Sequence, residues 1–270
     1  MTFCLVFLNQ KGTLMNIFLL SLVDKSIEAA MIRFSQLSAG SALLSTNHLE
    51  ILARSAKKIL ETYISFFQSV NIAPNQYQYN EKQIVKSFDL TSSNNERSNL
   101  DRKLINLVSN EVKSSILPIN VHIHSEGRLY LYAGIGAVDS MSNTVLFFLN
   151  ELSLLDELIR YSPSYLRYLD NIVFNVELTR SKTVRELAGS LGINYNRFQR
   201  DCREYLRDTF HQFQNKLKML NALEDILFSS YTLKEIAYKN NFSDYNNMYF
   251  LFHTRYHFSL QTIPRFFDQI

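Results

Sequence analysis

Apolar and polar residues alternate along the chain with more than one period, and the changes of period mark its elements. From Asn47 the spacing is helical: Leu49, Leu52, Ala56, Ile59, Tyr63 and Phe66 share one face to about Gln68, and Asn47 with Glu50 predicts a capped start. Before it, residues 1–45 carry short apolar runs whose period does not separate buried strands from short helices. The polar text NIAPNQYQYNEKQ and DLTSSNNERSN predicts an exposed connection, followed by a second helix near Asp101 to Ser115. After Pro118 the period becomes two. Val121 and Ile123 alternate with His122 and His124, SEG supplies a turn, and RLYLYAG resumes the alternation, which predicts a hairpin. Two amphipathic helices are predicted next, over about Thr144 to Tyr161 and, opening at Ser162-Pro163, over Pro163 to about Val176. ELTRSK links them to the last third.

That last third contains an internal repeat. Thr183-Val184-Arg185-Glu186-Leu187-Ala188 and Thr232-Leu233-Lys234-Glu235-Ile236-Ala237 share one pattern: Thr, apolar, basic, Glu, apolar, Ala. Each is a T-x-x-E capping box, with the Thr hydroxyl accepting from the third amide of a helix and the Glu reaching back to the cap amide. Four residues after each Ala the chain turns, at Gly192-Ile193-Asn194 and at Asn241-Phe242-Ser243, and a second helix begins. Helix, tight turn, helix, with a small Ala at the crossing, is the helix-turn-helix pattern. Between the copies Phe210, Phe213, Leu217, Leu220, Leu223 and Leu227 step at three and four, which predicts one connecting helix about 19 residues and roughly 28 Å long. Such a rod suits two second helices entering successive major grooves, roughly 34 Å apart.

With this repeat, the chain from about residue 165 to 267 resembles the two-motif DNA-binding domain of AraC/XylS-type transcription regulators. GINYNRFQRDCREYL, with SPSYLRYL ahead of it, is similar to the activators of type III secretion and invasion genes in that family. The resemblance implies sequence-specific binding to double-stranded DNA upstream of promoters and recruitment of RNA polymerase. For the N-terminal part it implies dimerisation, giving a homodimer, effector sensing or partner binding, with a type III secretion chaperone as the co-activating partner.

The second helix of the first unit runs from about Tyr195 to Leu206. Phe198, Cys202 and Tyr205 fall inward, leaving Asn196, Arg197, Gln199, Arg200 and Arg203 outward. The resemblance makes Asn196, Gln199 and Arg200 base-contacting positions, and the chemistry suits: Arg pairs with guanine O6/N7, Asn or Gln with adenine N6/N7. In the second unit Met248 and Phe252 match Phe198 and Cys202 once the turn takes one extra residue, and Tyr245, Asn246, Asn247 and Tyr249 lie outward. Phe250 stands where the family has a basic or polar reader. Asn241 replaces the turn glycine, His257 a later glycine and Leu260 a proline. Asn tolerates the left-handed turn. These departures predict more shape and phosphate contact than base readout from this unit. Arg203, Lys216, Lys218, Lys234, Lys239 and Arg255 are the expected phosphate contacts.

Charge adds a little to this picture. The net charge is +3, and from Lys182 onward there are 12 Lys and Arg against 9 Asp and Glu, so the excess lies in the last third. A chain of 270 residues and 46% hydrophobic content buries a core and exceeds the ~150 residues of a usual domain. Cys4 and Cys202 form no CxxC, which fits a reducing compartment and no structural disulfide. FCLVFL and LMNIFLLSLV lack a basic leader, are interrupted by Lys11, and fall short of the ~20 residues of a membrane span.

His122-x-His124 puts two imidazoles on one strand face without a third metal ligand. Gly134-Ile135-Gly136 lacks the third glycine of a dinucleotide loop and reads as a strand kink. Glu151 and Glu157 read as solvated carboxylates on an amphipathic helix, and Cys202 as a buried thiol.

The expected fold is therefore α+β and predominantly α. An N-terminal α+β domain (1–160) serves dimerisation, sensing or partner binding, and an all-α DNA-binding domain (161–270) carries two helix-turn-helix motifs joined by a long helix. The expected protein is a cytoplasmic transcription activator, not an enzyme, with no metal, cofactor or membrane partner. The alternative is an interaction protein that keeps this fold, has lost DNA affinity and modulates another regulator.

Overall fold

The computed structural model describes residues 15–38, 46–89, 98–110, 116–139, 143–161, 163–174 and 183–267. A short strand β1 (Met15–Asn16) leads into α1 (Ile17–Ser38), so residues 17–38 form one long helix, while the run FCLVFL lies outside the described residues. Asn16 caps it. Its side-chain oxygen accepts from the Leu19 amide at 2.8 Å, while its side-chain nitrogen donates to the carbonyl of Tyr205. The helix α2 (Thr46–Ser69) buries the predicted face through Leu52, Ala56, Ile59, Tyr63 and Phe66, with Leu49 partly covered. It begins just ahead of Asn47, whose side chain lies outside the described residues.

Four strands form an antiparallel sheet in the order β2-β5-β4-β3: β2 (Gln78–Asp89), β3 (Ile116–Ser125), β4 (Arg128–Asp139) and β5 (Thr144–Leu155). The predicted hairpin is β3–β4, with Val121 opposite Tyr132, and its two-residue turn places Glu126 and Gly127 at φ 53° and 70°. Two left-handed residues in sequence match the twist of the flanking strands.

The polar stretch after α2 is not a connection throughout, because residues 78–89 are the edge strand β2, whose outward positions are free to be polar. Residues 144–155 are not a helix but the interior strand β5. Val145, Phe147 and Leu149 face α3 (Asn99–Asn110), while Phe148, Leu152 and Leu154 face α1 and α2. A strand covered on both faces is apolar almost throughout and so carries no alternation. Glu151 accordingly lies on β5, and Glu157 in the 3-10 turn Asp156–Leu158.

The glycine pair is likewise neither a kink nor a nucleotide loop: a Cβ on Gly134 would stand 2.0 Å from the Phe148 carbonyl oxygen, so the residue lets β4 and β5 approach. The next predicted helix is shorter than expected, a 3-10 turn (Ser164–Leu166) followed by α4 (Tyr168–Phe174). A two-residue strand β6 (Ile159–Arg160) pairs in parallel with β1.

From Thr183 the chain is all α: α5 (Val184–Ser190), α6 (Tyr195–Leu206), α7 (Phe210–Phe228), α8 (Leu233–Lys239) and α9 (Tyr245–Tyr249), the last continued by a wider π-helical segment over Phe250–Arg255. The fold is thus α+β and predominantly helical, as expected. One apolar core runs from the sheet through α1 and α2 into these helices. Phe18 lies 5.2 Å from Tyr205, Phe34 5.9 Å from Phe266 and Phe66 5.6 Å from Phe258, ring centre to ring centre. Among the described residues, no helix is long and apolar enough to cross a membrane.

Candidate DNA-binding surface

Both capping boxes form. Thr183 accepts from the Glu186 amide and Thr232 from the Glu235 amide, each at 3.3 Å, and both glutamates return to the cap amide at 2.7 Å. The two turns share one hydrogen bond: the Ile193 amide donates to Ala188 and the Phe242 amide to Ala237, each at 3.0 Å. Gly192 at φ 65° and Asn241 at φ 58° take the same left-handed conformation, so Asn substitutes for Gly as predicted. The extra residue of the second unit is Ser243, after which Asp244 caps α9 by accepting from the Asn247 amide at 2.7 Å.

In the first unit Phe198, Cys202 and Tyr205 are buried as predicted, and Asn196, Arg197, Arg200 and Arg203 are exposed, with Gln199 half-buried. Asp201, which sequence reasoning missed, is buried beneath them. It accepts from the Tyr168 hydroxyl at 3.0 Å and faces Arg197 at 3.7 Å and Arg200 at 3.8 Å, so one carboxylate on the scaffold flanks both guanidinium groups. Burial, reinforced by the Asp201 charge, pushes the Cys202 thiol up to about 12, so it stays protonated and unreactive at neutral pH.

In the second unit Met248 and Phe252 are buried, Asn246, Asn247 and Tyr249 are exposed, and Tyr245 is half-buried. Tyr249 packs between Tyr245 at 6.1 Å and His253 at 5.1 Å.

The expected phosphate contacts divide. Lys234 and Arg255 are exposed. Lys218 donates to the Asn241 carbonyl at 3.1 Å, and Lys239 pairs with buried Asp225 at 2.6 Å while remaining half exposed. Lys216 is a correction: its side chain is 3% exposed and pairs with Asp208 at 2.7 Å, so it serves the core and not a phosphate. Helical periodicity places it near the inward face of α7 but does not reveal the carboxylate that compensates it there.

Two clefts line the joint between the units. One gathers Asn196, Gln199 and Arg203 with Thr209 and His211; the other, about 740 Å³, gathers Asn247, Phe250 and Arg255 with Lys218, Asn215 and His211. His211, in the first turn of α7, therefore stands between the outward residues of both units. Neither His211 nor Asn215 was legible in the sequence as a cleft residue, because each reads as an ordinary polar position on a connecting helix.

Residues 187–263, from within α5 through α6, α7, α8 and α9, match a family model described as a helix-turn-helix domain. The match supports a DNA-binding regulator of AraC type. It points to a regulator rather than to an enzyme. No curated protein and no solved structure matches the chain. The two histidines of the hairpin meet carboxylates, His122 facing Asp24 at 2.9 Å and His124 facing Asp156 at 3.7 Å, and among the described residues no cluster of three metal-ligating side chains occurs.

Proposed function

We propose that this chain is a sequence-specific transcription regulator, an activator, whose two helix-turn-helix units read successive major grooves on one face of double-stranded DNA. The observation that carries this reading is that the clefts beside both reading helices meet at His211. Clefts that meet in this way put both units on one side of the molecule, as binding to successive major grooves along one face of a duplex requires. Asn196, Arg197, Gln199 and Arg200 read bases from α6, and Tyr245, Asn246, Asn247 and Tyr249 from α9. Arg203, Lys218, Lys234, Lys239 and Arg255 meet phosphates. Residues 161–270 form the DNA-binding domain, and residues 1–160 dimerise or hold a partner, with a type III secretion chaperone as co-activator. RNA polymerase is recruited from this assembly in the cytoplasm.

Titration of the full chain against its own upstream DNA at several salt concentrations tests the reading. We expect tight binding whose logarithm falls with log salt by about 0.9 per neutralised phosphate. Arg200→Ala should relax preference at one base pair by about 1–3 kcal/mol, whereas Arg255→Ala should weaken all sequences alike and lower the salt slope by about one. Weak, sequence-indifferent binding would overturn the reading and favour a protein that only modulates another regulator.

A further inference from the structure

The two units share a pattern of turn bond and buried positions once the extra Ser243 is allowed for. Ala188 and Ala237 accept the same turn bond, Phe198 and Met248 are both fully buried, and so are Cys202 and Phe252. Phe250 follows Met248 by two residues as Arg200 follows Phe198. At 100° per residue it points about 160° away from the core side. Its ring is 52% exposed, with Tyr249 beside it 37% exposed. The π-helical segment that begins at Phe250, closed by the Tyr256 amide donating to the Leu251 carbonyl at 3.2 Å, commits both Leu251 and Phe252 to the core and leaves Phe250 outward.

A single exposed apolar ring is ordinary on a protein surface. This one stands in a reader position, in a cleft with Asn247, Lys218 and Arg255 and, among the described residues, no carboxylate in its wall. A benzyl group cannot donate to or accept from a base edge. The apolar feature that the major groove offers is the C5-methyl of thymine, while a neighbouring Asn suits adenine and flanking cations suit phosphates. We propose that Phe250 is a specificity-determining residue that recognises a thymine by packing on its C5-methyl group. The second unit then adds an apolar contact to its base reading, at the position where the first uses a guanidinium. This inference rests on the DNA-binding reading above.

The test uses duplexes selected by the full-length chain from a random library, with each thymine of the selected site replaced in turn by uracil, which removes only the methyl. At one position the wild-type chain should lose about fourfold in affinity, the worth of one buried methyl-sized group. Phe250→Ala should bind the thymine and uracil duplexes equally, keep its discrimination at the position governed by Arg200, and keep its salt slope, which shows that it is folded. A wild-type chain that binds specifically yet tolerates uracil everywhere, or a Phe250→Ala variant that retains the preference, overturns this inference and leaves the DNA-binding reading standing. Failure of the wild-type chain to select any sequence removes both.

Discussion

His257 sits at φ 53°, in the left-handed region that penalises a side chain with a Cβ, and the chain turns there so that the Phe258 amide reaches the Phe252 carbonyl at 2.8 Å. The departure from glycine at this position is therefore tolerated without a change of backbone, at a conformational cost of about 1 kcal/mol. Its imidazole is exposed, so little packing is lost by removing it. We expect His257→Gly to stabilise the folded chain by about 0.5–1 kcal/mol, read as a rise in the urea midpoint with an unchanged slope. A lowered midpoint would mean that the ring makes a contact worth more than the strain. Leu260, the other departure nearby, is explained differently: it is buried and opens the 3-10 turn Leu260–Thr262, so an apolar side chain anchors the last turn.

Helix α8 spans only Leu233–Lys239, too short to persist alone, so its start must be fixed from outside its own hydrogen-bond ladder. Thr232 and Glu235 do this, and the Thr232 amide holds the Glu235 carboxyl below its usual range. Thr232→Ala should cost about 1 kcal/mol and Thr183→Ala a similar amount; because α8 and α5 lie ahead of α9 and α6, the helices proposed to read bases, both variants should lower DNA affinity through stability. Thermal melts and binding isotherms with unchanged base preference would bear this out, whereas altered preference would place the threonines at the interface itself. These local devices were legible because a capping box, a left-handed turn and a heptad-like stripe each depend on a few neighbouring residues. Strand β5 was not, since its run VLFFLNELSLL records only that both faces are covered, and burial on two sides is decided by α1, α2 and α3 far away in sequence. Asp201 escaped notice for the same reason: its partner Tyr168 comes from α4, 33 residues earlier.

At the scale of the whole molecule, α1 is the element that joins the sheet to α6 and α7. Phe18 on its first turn packs on Tyr205 of α6 and, at 6.2 Å, on Phe213 of α7; Arg33 near its end pairs with Glu224 of α7 at 2.7 Å. Its middle is tied to β3 by Asp24, which accepts from Asn120 at 3.0 Å and faces His122 at 2.9 Å. Burial by itself would raise the Asp24 carboxyl, but the hydrogen bonds from His122 and Asn120 and the charges of His122 and Lys25 outweigh it, and the group lies below its ordinary 3.8. A carboxyl depressed in the folded chain stabilises it fully above its unfolded value and loses that contribution as pH falls through the folded one. The stability that Asp24 provides should therefore begin to fall near pH 4 and be lost as pH drops through the lower folded value. Asp24→Asn keeps the shape and removes the titration, so urea denaturation of both proteins across pH should show a gap that closes on acidification. A gap that persists at low pH would assign the role of Asp24 to shape and hydrogen bonding, leaving α1 held to the sheet by packing without help from this ionised contact.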